Sequence, residues 1–82
     1  MATTQADIRG WLERGKEMGA THMIVVCDTY DWEDLPRYVM PNENVRDVHT
    51  EVSTPGNRVM EVYSLRLDWD FQLNEHRAFH FD

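Results

Sequence analysis

Between Asp28 and Asp34 the chain sets four acids and two aromatic rings within seven residues: Asp28, Tyr30, Asp31, Trp32, Glu33 and Asp34. An acidic surface favours basic protein partners and repels phosphate backbones and anionic lipid. Aromatic side chains insert into protein pockets or stack on bases. A second use of clustered carboxylates is cation binding. Calcium, however, takes roughly six to eight oxygens, and neither the EF-hand spacing nor its turn glycine occurs here. For zinc the candidates are His22, Cys27, His49, His76 and His80. None of the strong C-x-x-C or H-E-x-x-H spacings joins them, so no metal or other cofactor is expected.

Nucleophilic chemistry would need Cys27 with a histidine. Cys27 closes an apolar run, where burial raises the thiol pKa and suppresses reactivity. The four glycines, Gly10, Gly15, Gly19 and Gly56, do not form a phosphate-cradling loop, and no nucleophile elbow is present. The residue types point to a non-catalytic binder. Tyr38, Tyr63, Trp69, Arg77 and His80 add aromatic and polar groups later in the chain, and Arg77 can grip a phosphate or carboxylate through two parallel hydrogen bonds. The expected binding set is Asp28, Tyr30, Asp31, Trp32, Asp34, Tyr38, Arg77 and His80. Tyr63 and Trp11 are expected in the core.

The acidic stretch must be delivered by the run before it. Residues 21–28 contain five consecutive apolar side chains rich in valine, which reads as a strand covered on both faces. Upstream, Thr4 and Asp7 have capping-box spacing. Ile8, Trp11, Leu12, Gly15 and Met18 then recur at helical spacing, which predicts a helix over 5–18 ended by Gly19. Downstream, residues 29–35 read as a loop, and 37–40 as a short edge strand bracketed by Pro36 and Pro41. Asn42 is the expected cap of a second helix carrying Val45, Val48 and Val52 on one face. Residues 54–57 form a turn, and alternation predicts a strand over 58–67. The same alternation extends through 68–73 and predicts more extended chain, with a turn at 74–77 and a last strand at 78–81. The order α-β-β-α-β-β implies an α+β, two-layer sandwich. Its largely antiparallel sheet of three or four strands would carry both helices on one face.

The 82 residues allow one domain, 1–82, and 41% hydrophobic content suffices for a small core. The net charge is −7, with the excess of acids concentrated in residues 21–57. One cysteine excludes an intramolecular disulfide and fits a reduced, cytoplasmic setting. Residues 1–7 lack the pattern of a signal peptide, and no apolar run approaches the ~20 residues of a membrane span.

Three phrases of the sequence carry a resemblance: Gly19-Ala20-Thr21-His22-Met23-Ile24-Val25-Val26-Cys27-Asp28-Thr29, Val59-Met60-Glu61-Val62-Tyr63, and Gln72-Leu73-Asn74-Glu75-His76-Arg77-Ala78-Phe79-His80. They resemble a family of short uncharacterised proteins of bacteria and their phages, over nearly the whole chain. The resemblance implies a small intracellular protein, phage- or prophage-encoded, and by analogy an inhibitor in host–virus conflict. It brings no activity or site residue. The expected function is therefore occupation of a host protein that has a basic surface, through the acidic aromatic loop. The alternative is a sponge for a small nucleotide-type ligand, with Arg77 or Arg37 on the phosphates, and the third reading is a metal-dependent or cysteine enzyme. Direct nucleic-acid or membrane binding is not expected, and the composition is compatible with a homo-oligomer.

Overall fold

The computed structural model describes residues 3–82. Met1 and Ala2, part of the segment searched for a signal peptide, lie outside the described residues. The elements are α1 (Gln5–Met18), β1 (His22–Asp28), β2 (Glu33–Val39), α2 (Val45–Val52), β3 (Asn57–Ser64) and α3 (Trp69–Leu73). The strands form one antiparallel sheet in the order β2-β1-β3, so the fold is α+β with β1 at its centre. None of the described helices is long and apolar enough to cross a membrane.

The helix α1 starts and stops where its sequence says. Thr4 accepts from the Asp7 amide while the Asp7 carboxylate accepts from the Thr4 amide, and Gly19 closes the last turn at φ 82°. Its inner stripe is Ile8, Leu12 and Gly15. A methyl group on Gly15 would sit 2.8 Å from the Tyr38 ring, so glycine here allows the helix to approach the sheet. Trp11 is only half-buried, and Leu12 is the wholly buried anchor.

Both faces of β1 are covered. Met23 and Val25 pack with Tyr63 under Ile8, Leu12, Leu73 and Ala78. Ile24 packs with Val39 and Val62 against Val45 and Val48. The helices thus lie on opposite sides of the sheet, α1 and α3 on one and α2 on the other, and not together on one face as expected. The reason is in β1 itself, whose successive residues are all apolar and point alternately to the two faces. A register shift between Val25 and Val26 sets Glu61 and Val59 opposite them, with Met60 as the extra residue. Val59 and Val62 consequently share one face and Met60 and Tyr63 the other, which explains why Glu61 breaks the alternation.

Several boundaries differ from expectation. The strand β2 begins at Glu33 and runs through Pro36, leaving 29–32 as the connection. The Leu65 amide donates to the Thr21 carbonyl, which fixes the ladder phase: odd residues of β1 face β3 and even ones face β2. Pro36, opposite Val25, therefore carries its nitrogen on the outer edge, where no ladder bond is lost. The cap of α2 is Asn44 rather than Asn42, with Asn44 Oδ1 accepting from the Arg46 and Asp47 amides. Glu43 instead accepts from the Met40 amide and pairs with Arg37 at 3.3 Å.

The strand β3 ends at Ser64, and the segment 68–73 is helical, not extended. Asp68 caps α3 by accepting from the Phe71 amide, and Trp69 and Leu73, four apart, both pack on the α1 side. Gln72 is fully buried: its Oε1 accepts from the Ser64 amide and its Nε2 donates to the Ser64 carbonyl, each at 2.8 Å. One side-chain amide thus supplies the pairing that a further strand would give. The last strand reduces to a parallel bridge between Val62 and Phe79, so the order is α-β-β-α-β-α.

Gln72→Leu keeps the volume but leaves both Ser64 backbone groups buried without partners. Urea denaturation is expected to show a loss of about 2–5 kcal/mol. A loss below about 1 kcal/mol would mean that the amide is not the group closing this edge. Leu12→Ala is expected to cost about 2–5 kcal/mol, and the half-buried Trp11→Ala clearly less.

Candidate functional site

The acidic stretch meets the N-terminal half of α1 in a cleft of about 360 Å³ lined by Thr3, Asp7, Trp11, Asp31, Trp32, Glu33 and Asp34. The turn after β1 is built from short polar contacts. Thr29 donates through both its amide and its hydroxyl to the Gly56 carbonyl, each at 2.9 Å. Asp28 Oδ1 accepts from the Tyr30 amide at 2.8 Å. Gly56, at φ 93°, lets the Tyr30 ring lie across the neighbouring turn, since a Cβ there would come within 2.9 Å of it. Trp32 is the one non-glycine residue with positive φ among the described residues, at 55°. An indole side chain in that region costs on the order of 1–2 kcal/mol, a strain that the flanking turn and strand hold in place. Its side chain is 65% exposed.

From the other wall, Asp7 is fixed by the capping box, and Thr3 Oγ1 donates to Asp34 Oδ2 at 2.7 Å, tying the chain before α1 to β2. Trp11 presents part of its ring to the cleft, and its carbonyl accepts the Tyr38 hydroxyl at 2.7 Å. Among the described residues the lining holds four carboxylates, two indoles and no cationic side chain. Among the described residues no three His, Cys, Asp or Glu side chains converge as a metal-binding group. Three of the acids come from residues 31–34 and the fourth, Asp7, from α1.

Of the expected binding residues, Asp31, Trp32 and Asp34 share this cleft. Asp28 and Tyr30 stand beside it, Asp28 as an acceptor within the turn and Tyr30 on the surface against Gly56. Tyr38 is a packing residue: it lies under α1, and burial pushes its phenol pKa up. Arg77 and His80 are elsewhere. The segment carrying them runs along the outer edge of β3, where His80 pairs with Glu75, while the cleft opens by β2 across the sheet. Thr3, Asp7, Trp11 and Glu33 were not in the expected set. For Asp7 and Trp11 a signal existed, since residues four apart on a helix share a face.

Cys27 is buried at the end of β1, facing Asp34 across the ladder. Burial, then the neighbouring Asp34 and Asp28 carboxylates, push its thiol pKa up. Comparison of the chain with protein-family models, curated proteins and solved structures finds no match.

Cys27 is expected to react with a thiol reagent in native buffer about tenfold or more slowly than in the unfolded chain. Labelling at the unfolded rate would show an accessible thiolate and reopen nucleophilic chemistry at this end of β1.

Proposed function

We propose that this chain is a small acidic binding protein without catalytic activity that occupies a basic protein partner. One lysine or arginine side chain of the partner sits in the cleft between Trp11 and Trp32. The observation that supports it is the lining, in which four carboxylates and two indoles, and no cation among the described residues, face the same space. A guanidinium or ammonium group is attracted by ring faces and by carboxylates together, and both attractions grow as the cleft loses water. The net charge of −7 steers a basic surface toward the molecule and phosphate-rich surfaces away from it. The fuller reading is a phage-type inhibitor of a host protein acting in the host cytoplasm. It draws on the resemblance of the sequence and belongs to the same proposal.

The nucleotide sponge needs cations gathered at one place. Arg37 is engaged by Glu43 and by the Tyr38 carbonyl, and Arg77 stands across the sheet from the cleft. The first reading is therefore preferred.

Titration with short arginine- and lysine-bearing peptides, followed by tryptophan fluorescence, tests it. Saturable quenching that weakens with added salt is expected. Trp32→Ala should weaken binding by about thirtyfold through faster dissociation, equivalent to about 2 kcal/mol. Asp31→Asn with Glu33→Gln should slow association and flatten the salt dependence. Melting behaviour should stay within experimental error of the parent in both variants, because neither site belongs to the core. Quenching by nucleoside phosphates but not by basic peptides would replace this reading by the sponge.

A further inference from the structure

A second hollow, of about 440 Å³, opens on the same side of the sheet as the acidic cleft but at the opposite end. It lies between the last turn of α1 and the turn after β3, and Lys16, Leu65, Arg66, Leu67 and Trp69 line it. The Leu65 amide bonds the Thr21 carbonyl, which sets this turn beside the His22 end of β1, whereas the acidic turn leaves the Asp28 end. Among the described residues the lining holds two cationic side chains and no acid. Arg9 and Arg37 are matched with Asp70 and Glu43, but among the described residues Lys16 and Arg66 enter no ion pair. Glu13 and Glu17 stand in the adjoining hollow, which shares Lys16 and Trp69 with this one.

The acidic end has the opposite form. Trp32 is exposed in left-handed backbone, and Asp31 and Glu33 flank it, both exposed as well. An indole between two carboxylates is the complement of an apolar hollow that carries two cations. An aromatic ring that loses water beside a guanidinium or ammonium group is attracted to it, and a tryptophan seated in a pocket is a common anchor of an interface.

We propose that the hollow at Lys16 and Arg66 receives Trp32 of a second copy of this chain, with Asp31 and Glu33 of that copy against the two cations. The hollow and the acidic turn both lie on the α1 side of the sheet, at its two ends. A two-fold axis lying across α1 exchanges them, so one docking makes the contact twice and leaves neither feature unmatched. The pairing rests on the reading that the acidic cleft and Trp32 meet a cationic group, and it supplies that group from within the protein. A basic partner then competes with a second copy for the same cleft. The net charge of −7 repels one copy from another in general, which keeps the dimer weak and confines it to the orientation that brings the cations to the acids. The same repulsion acts on a free polyphosphate, which has no second contact to offset it.

Sedimentation equilibrium of the full chain from about 10 μM to about 1 mM tests this. The average mass is expected to rise from one chain toward two and to stop there. Lys16→Glu with Arg66→Glu, and separately Asp31→Lys with Glu33→Lys, should each weaken association by about tenfold or more. Mixed in equal amounts, these two variants should pair with each other about as well as the parent pairs with itself, because each reversed turn then meets a reversed hollow. That recovery also shows that both variants fold. Trp32→Ala should weaken association by about tenfold or more without any change of charge. The variant reversed at Lys16 and Arg66 keeps the acidic cleft, so quenching of its tryptophans by an arginine-bearing peptide reads the proposed function apart from the dimer. A parent that stays a single chain at about 1 mM, masses well beyond two chains, a variant that associates like the parent, or a mixture that stays monomeric would each overturn the pairing. Peptide quenching retained in that event would leave the proposed function standing.

Discussion

The constraint on which the structure rests is the burial of β1 on both faces within a sheet of only three strands. Met23 and Val25 on one side and Ile24 on the other are almost wholly buried, so each face needs its own cover. One long helix and one short one supply it on the first face, and the eight-residue α2 on the second. A domain this small has little apolar area to spare, so every element is committed to covering β1. The two ends of the strand are then the places left for polar work. The end at Asp28 carries the acidic turn, and at the other end the buried His22 bonds the Asp82 carbonyl.

Three strands also leave two edges that must not pair with other chains. The solutions here are side chains that imitate or block backbone pairing. Gln72 presents its amide to Ser64 as a neighbouring strand would, Arg37 occupies the Tyr38 carbonyl, and Pro36 removes a donor. The edge of β2 therefore has one donor and one free acceptor fewer for strand addition, and the cleft beside it is lined by side chains. This is consistent with recognition by charge and aromatic surface rather than by the main chain.

Much of this was legible in the residues. The capping box, the stripe from Ile8 to Met18 and Gly19 mark α1 without ambiguity, and five apolar residues before Asp28 mark β1. The same run already implied cover on both faces; placing both helices on one side neglected that both parities of β1 are apolar. The segment at Trp69 to Leu73 alternates in polarity and yet is helical, because Asp68 caps it and Gln72 is a buried polar residue that polarity patterns count as solvent-facing. At the site, Asp31, Trp32 and Asp34 could be named from composition. Asp7 and Trp11 could not be joined to them, since a contact across more than twenty residues depends on how α1 crosses the sheet. Arg77 and His80 were grouped with the acidic stretch by residue type alone, and the topology puts β1 and β3 between them.

The central claim is that the cleft between Trp11 and Trp32 receives a cationic side chain, and the three indole N–H signals of the protein offer the most direct reading. Trp69 is an internal reference, because its Nε1 donates to the Leu65 carbonyl at 3.1 Å on the far half of α1. A nitrogen–proton correlation spectrum recorded during addition of an arginine-bearing peptide should shift the Trp11 and Trp32 indole signals together, along one binding curve, and leave Trp69 in place. Shifts confined to Trp69 and the residues around Arg77, or no shift of Trp11 at saturating peptide, would contradict the account.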